Sequence, residues 1–133
     1  MEYHCAKIIF VRTTLDLFHK KLDVYKLALQ LAKETYGISS MLPLDERFGL
    51  ITQLQRAAIS LCSNFAEGAS RFTNREKKRF YEIARSSLVE IDPQIEICII
   101  LKILDPDDII TLQSYSVSVF KILSKMISNL ACP

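Results

Sequence analysis

The stretch Phe48-Gly-Leu-Ile-Thr-Gln-Leu-Gln-Arg-Ala-Ala-Ile-Ser-Leu-Cys-Ser-Asn-Phe-Ala-Glu-Gly68 decides the fold class. Its apolar residues return every three or four positions, with Leu50, Leu54, Ala57 and Leu61 on one stripe and Ile51, Ala58, Cys62 and Phe65 on a second, displaced by about one position. That period is helical. A helix is expected from about Leu44, where Asp45 and Glu46 would complement the dipole, to Glu67, with Gly68 as its stop. One stripe can face the core of a single chain; the other is expected to need a partner.

Upstream, Leu22, Tyr25, Leu29, Ala32 and Tyr36 outline an amphipathic helix from Phe18, with lysines on its other faces. Gly37 is expected to cap it in the left-handed conformation, and Pro43 disfavours helix at Leu42. Downstream, Thr73-Asn-Arg-Glu76 matches a capping box, after which Phe80, Ala84, Leu88, Ile91, Ile95 and Cys98 keep helical spacing. Beyond Ile95 the segment is apolar nearly all round, which predicts burial on several sides. Pro93 removes a backbone hydrogen bond and crowds the Val89 carbonyl, so a kink or division is expected near residues 89–93. Asp105-Pro-Asp-Asp108 supplies an N-cap, a first-position proline and two first-turn acids for a fourth helix. Its seam is Leu112, Tyr115, Val119, Leu123, Met126 and Leu130. Residues 1–14 lack helical period and are expected as an arm, with the bundle domain over 15–133. The expected fold is all-α: an antiparallel up-down-up-down four-helix bundle, homo-oligomeric because its apolar surface exceeds one core.

Composition narrows the function classes. With 133 residues, 50% of them apolar and 24% charged, and only three Gly and four Pro, the chain reads as one globular domain. Seventeen Lys and Arg against fifteen Asp and Glu leave +2, too little to indicate nucleic acid by itself. Cys5, Cys62, Cys98 and Cys132 form no C-x-x-C pair, which argues against zinc or a redox motif and fits a cytoplasmic protein. The longest apolar stretch, 95–104, is broken by Glu96 and Lys102, so no membrane anchor is expected. Only His4 and His19 could serve as neutral-pH bases, and Ser60, Ser63, Ser86 and Ser87 have no histidine in helical register. Glu82, Glu90 and Glu96 lack the Glu-x-x-His of di-metal bundles. No catalytic residue, metal or cofactor is expected.

Two polar constellations remain. Arg56, Ser60, Ser63, Asn64 and Glu67 follow one side of the second helix, as a recognition or assembly surface or as a packing seam in which Glu67 pairs with a nearby arginine. Arg71, Arg75, Lys77, Lys78, Arg79 and Arg85 stand against Glu76 and Glu82, so residues 71–85 carry +4 while the whole chain carries +2. Such a cluster can neutralise phosphates. The alternative is a solvated face in which Glu76 pairs with Arg79 and Glu82 with Arg85.

The 48–68 stretch, with Leu22-Asp-Val-Tyr-Lys-Leu-Ala28 before it and Phe80-Tyr-Glu-Ile-Ala-Arg-Ser-Ser-Leu-Val-Glu-Ile91 after it, resembles the bacterial four-helix bundle proteins encoded in intervening sequences of 23S ribosomal RNA genes. The resemblance covers roughly 18–130 and implies a cytoplasmic, non-enzymatic homo-oligomer, commonly a pentamer. The chain is also similar to the accessory proteins of diversity-generating retroelements, basic pentameric barrels that bind a reverse transcriptase and nucleic acid. The signature positions carried over are Gln53, Leu54, Arg56, Ala57, Ala58, Ser63, Asn64, Glu67 and Gly68, expected to organise packing and assembly. Gln55, Cys62 and Pro93 depart from the family pattern, the first by removing one of two adjacent basic residues. The resemblance makes RNA, or a protein bound to nucleic acid, the expected partner besides the chain itself.

Overall fold

A computed structural model of the chain describes residues 15, 17, 19, 22–46 and 49–130. The arm expected over 1–14 lies outside them. Four helices follow in order: α1 (Asp23–Ser39), α2 (Leu50–Ala69), α3 (Asn74–Ile100) and α4 (Ile110–Asn129). Short 3-10 turns, Leu44–Glu46 and Pro106–Ile109, precede α2 and α4. No strand occurs among the described residues. The packed pairs are α1 with α2, α2 with α3, α3 with α4 and α4 with α1, a closed ring in chain order. Contacts between α2 and α3 run in opposite directions along the chain, from Gly68 beside Tyr81 through Ser60 at Ser87 to Arg56 at Glu90. The two helices are therefore antiparallel, as a connection of four residues requires.

The core is built from all four helices. Leu31, Leu54, Leu61, Phe65, Ile91, Val119 and Leu123 are its largest fully buried apolar side chains. In α1 the buried stripe is Val24, Ala28, Leu31, Thr35 and Ile38, whereas Leu29 and Tyr36 of the expected stripe are exposed. Hydroxyls account for the shift. The Thr35 Oγ1 donates to the Leu31 carbonyl at 2.8 Å and the Ser39 Oγ to the Thr35 carbonyl at 2.6 Å, so both residues enter the core with their polar atoms satisfied.

In α2 both apolar stripes serve one chain. Leu54, Ala57, Ala58, Leu61 and Phe65 are all buried, and Leu50, Ile51 and Cys62 pack half-buried against them. The second stripe thus needs no partner. The apolar surplus lies elsewhere, at Ile97, Ile100 and Leu101 near the end of α3, which are exposed and not buried on several sides.

Helix boundaries correct several expectations. The segment from Leu44 opens as a 3-10 turn, and α2 begins only at Leu50, because Gly49, a poor helix former, takes the N-cap position. Gly37 and Gly68 both lie inside helices, and no described glycine has positive φ. Among the described residues the left-handed one is Lys102, at φ 59°. Around it the Ile103 N–H donates to the Cys98 carbonyl at 2.9 Å and the Lys102 N–H to the Ile99 carbonyl at 3.0 Å, a Schellman closure of α3. The α3 helix runs through Pro93 without dividing. Val89 and Pro93 are both exposed, so water can reach the carbonyl that proline leaves without its donor. Thr73 caps α3, its Oγ1 accepting from the Glu76 N–H at 3.2 Å. Asp105 receives the reverse contact, its N–H donating to the Asp108 carboxylate at 2.9 Å.

Gly68 and Gly37 make opposite predictions. A Cβ at Gly68 would sit 2.8 Å from the Tyr81 ring and 3.0 Å from the Phe80 Cβ, while one at Gly37 would meet nothing within 4 Å. Gly68→Ala is expected to lower stability by about 1–2 kcal/mol, since overpacking outweighs the gain in helix propensity. Gly37→Ala is expected to raise it by up to about 1 kcal/mol. Urea denaturation of the two variants beside the wild type checks both signs.

Candidate nucleic-acid interface

The polar stripe of α2 faces α3. The Ser60 and Ser87 hydroxyls lie 2.8 Å apart, Asn64 Nδ2 donates to the Ser60 carbonyl at 2.9 Å and to its Oγ at 3.0 Å, and Ser87 Oγ donates to the Ile83 carbonyl at 3.1 Å. Arg56 Nη2 donates to Gln53 Oε1 at 2.6 Å and lies 3.5 Å from Glu90 across the seam. Both partners of that ion pair are largely exposed, so it adds little stability. Glu67 pairs with Arg71 one turn on. Ser63 is exposed and joins none of this. Among the signature residues, Leu54, Ala57, Ala58 and Gly68 are core, and Gln53, Arg56, Asn64 and Glu67 hold or flank the seam between α2 and α3.

The six basic residues divide into two groups. Arg71 is held by Glu67, and its guanidinium lies 4.7 Å from the centre of the Phe80 ring. Lys77 Nζ donates to the Ala69 carbonyl at 3.0 Å, placing a cation on the negative end of α2. Arg85 Nη1 donates to Ser124 Oγ at 3.1 Å and its guanidinium lies 5.8 Å from the Phe120 ring, which ties α3 to α4. These three serve packing. Arg75, Lys78 and Arg79 are different: among the described residues none forms an ion pair or a side-chain hydrogen bond. Arg79 leans toward Phe80 at 5.9 Å from the ring centre, so two guanidinium groups lie near the same ring. Positions 75, 78 and 79 share one helical face over the first two turns of α3. The pairing of Glu76 with Arg79 and Glu82 with Arg85, which would have neutralised the cluster, is not formed.

Sequence reasoning missed Phe72, which is 99% exposed in the connection between α2 and α3. Its signal was present: an aromatic residue directly after Arg71 and outside every apolar stripe. A second feature without a sequence signal is an open groove of about 520 Å³ between α3 and α4, lined by Val89, Pro93, Ile109, Val117 and Phe120 among others. No group of three or more His, Cys, Asp or Glu among the described residues could hold a metal, and no described helix is long and apolar enough to cross a membrane.

The shifted titrations belong to the interior. Burial pushes the Cys62 thiol up to about 11 and raises Cys98, Tyr25 and Tyr81, with Glu46 a secondary contributor at Cys98 and Cys62 at Tyr25. Both described cysteines are free. A thiol that the folded chain keeps protonated beyond its ordinary value of 9.0 stabilises the fold fully below pH 9 and ceases to do so as pH rises through about 11. Denaturation midpoints are therefore expected to fall between pH 9 and 11, with Cys62 contributing about 2 kcal/mol of the loss. Cys62→Ala should flatten that part of the curve, and a profile unchanged by this substitution would contradict the assignment.

A comparison with curated proteins found no match. The family model described as 23S rRNA-intervening sequence protein matches residues 20–125, which span all of α1, α2 and α3 and most of α4. The chain belongs to the 23S rRNA-intervening sequence protein family.

Proposed function

We propose that this chain is a non-enzymatic accessory protein that self-associates, as the pentamer the family resemblance implies, and holds RNA in the cytoplasm through the start of α3. The observation that carries this reading is the set of three cations, Arg75, Lys78 and Arg79, on one face with neither an ion pair nor a side-chain hydrogen bond among the described residues. Arg71 is bound to a carboxylate and Lys77 and Arg85 spend donors on packing contacts; these three keep all their donors available. Repetition of the face around an assembly would multiply weak contacts without new chemistry. Self-association rests on the apolar surplus at Ile97, Ile100 and Leu101 and on the groove between α3 and α4.

That groove also favours a second reading, a protein–protein module whose partner fills it while the basic residues stay solvated. The readings part on charge. Arg75→Glu, Lys78→Glu and Arg79→Glu together leave the Lys77, Arg71 and Arg85 packing contacts intact, and should abolish RNA binding without changing the sedimentation coefficient. In the wild type, log affinity for a single strand should fall with log salt at a slope of about −2 per chain, from three phosphates neutralised. Binding insensitive to salt, or equal in the reversed variant, would favour the protein-partner reading.

A further inference from the structure

Phe72 occupies the position just before the Thr73 N-cap, where an apolar residue often packs against the fourth helical residue. Here the fourth residue is Lys77, whose ammonium is turned to the Ala69 carbonyl, and the Phe72 ring stays 99% exposed. Folding gains nothing from it. Its neighbours along the chain, Ser70, Arg71, Thr73 and Asn74, are all polar, and Ser70, Thr73 and Asn74 are exposed. The surroundings are cationic: residues 71–79 hold Arg71, Arg75, Lys77, Lys78 and Arg79 against Glu76 alone.

We infer that Phe72 is a stacking platform for an unpaired base of a single-stranded nucleic acid whose phosphates lie on Arg75, Lys78 and Arg79. The inference rests on the nucleic-acid reading above and names its substrate class. An apolar protein surface set on this ring would have to desolvate the cations that crowd this stretch of chain. A nucleotide offers a flat π-face to the ring and an anion to the cations at once. A duplex offers only the anion, because its bases are already stacked on one another. The face therefore distinguishes single strands from duplexes by the ring and holds both by charge.

The test uses the full chain, a labelled 12-nucleotide RNA of mixed sequence, and the same RNA in a duplex, followed by fluorescence anisotropy. Phe72→Ala is expected to weaken single-strand binding by roughly 5- to 150-fold, while duplex binding, thermal unfolding and sedimentation stay as in the wild type. The chain has no tryptophan, so Phe72→Trp installs a sole reporter whose emission the single strand should quench and the duplex should not. Unchanged single-strand binding by Phe72→Ala, with charge reversal at Arg75, Lys78 and Arg79 still effective, overturns this inference alone. An altered sedimentation coefficient overturns it by assigning the ring to contact between copies. A wild-type chain that binds neither RNA overturns the underlying reading and the inference together.

Discussion

The close approach of α2 and α3 is the constraint on which the rest of the structure depends. Gly68 brings the α2 backbone against the Tyr81 ring, and Phe65 stacks on the same ring at 5.3 Å between centroids, continuing to Tyr25 at 6.0 Å. The Ser60 and Ser87 hydroxyls, 2.8 Å apart, continue the approach along the two helices. Small residues at the contact and a connection of four residues allow little freedom at this corner. As a result the chain turns within residues 70–73, Thr73 starts α3 at once, and Arg75, Lys78 and Arg79 are presented on the first two turns of a rigid helix. The basic face is thus a consequence of packing at its back.

Packing also divides the six cations into two sets of three. Arg71, Lys77 and Arg85 have partners at short range, namely a carboxylate, a helix-end carbonyl and a serine hydroxyl. They tie down the corner and the α3–α4 contact, although only Arg71 has its charge paired. A count of charges along the sequence treats all six alike. Only three-dimensional placement separates a cation that completes a helix end from one facing water.

Much of the architecture was legible in the sequence, because helical period, capping residues and short connections are local signals. Thr73 announced the start of α3 correctly, whereas Asp105 caps a 3-10 turn and α4 itself begins at Ile110. Of the expected α3 stripe, Ala84, Leu88, Ile91, Ile95 and Cys98 are buried, but at its start Tyr81 is buried in place of Phe80, which is half-buried. Where the reading failed, a side chain or backbone acted against its usual tendency. Thr35 and Ser39 are core because each hydroxyl returns to its own helix. Gly68 reads as a stop yet serves as a gap for Tyr81, and Lys102 adopts the left-handed turn expected of a glycine. The two stripes of α2 suggested an outside partner, but a helix lodged between α1 and α3 buries a wide arc within one chain. Of the candidate interface, the basic run and the pairing of Glu67 with a nearby arginine were legible; the contacts of Lys77 with the end of α2 and of Arg85 with Ser124 were not, since they depend on how the helices pack.

Amide hydrogen exchange of the full chain, with and without a saturating single-stranded RNA, tests the central claim most directly by showing where on the bundle the polyanion lies. Slowed exchange concentrated in residues 70–80, at the corner and the first turns of α3, is the predicted result. Protection confined to the groove residues of α3 and α4, or no protection anywhere, would contradict it.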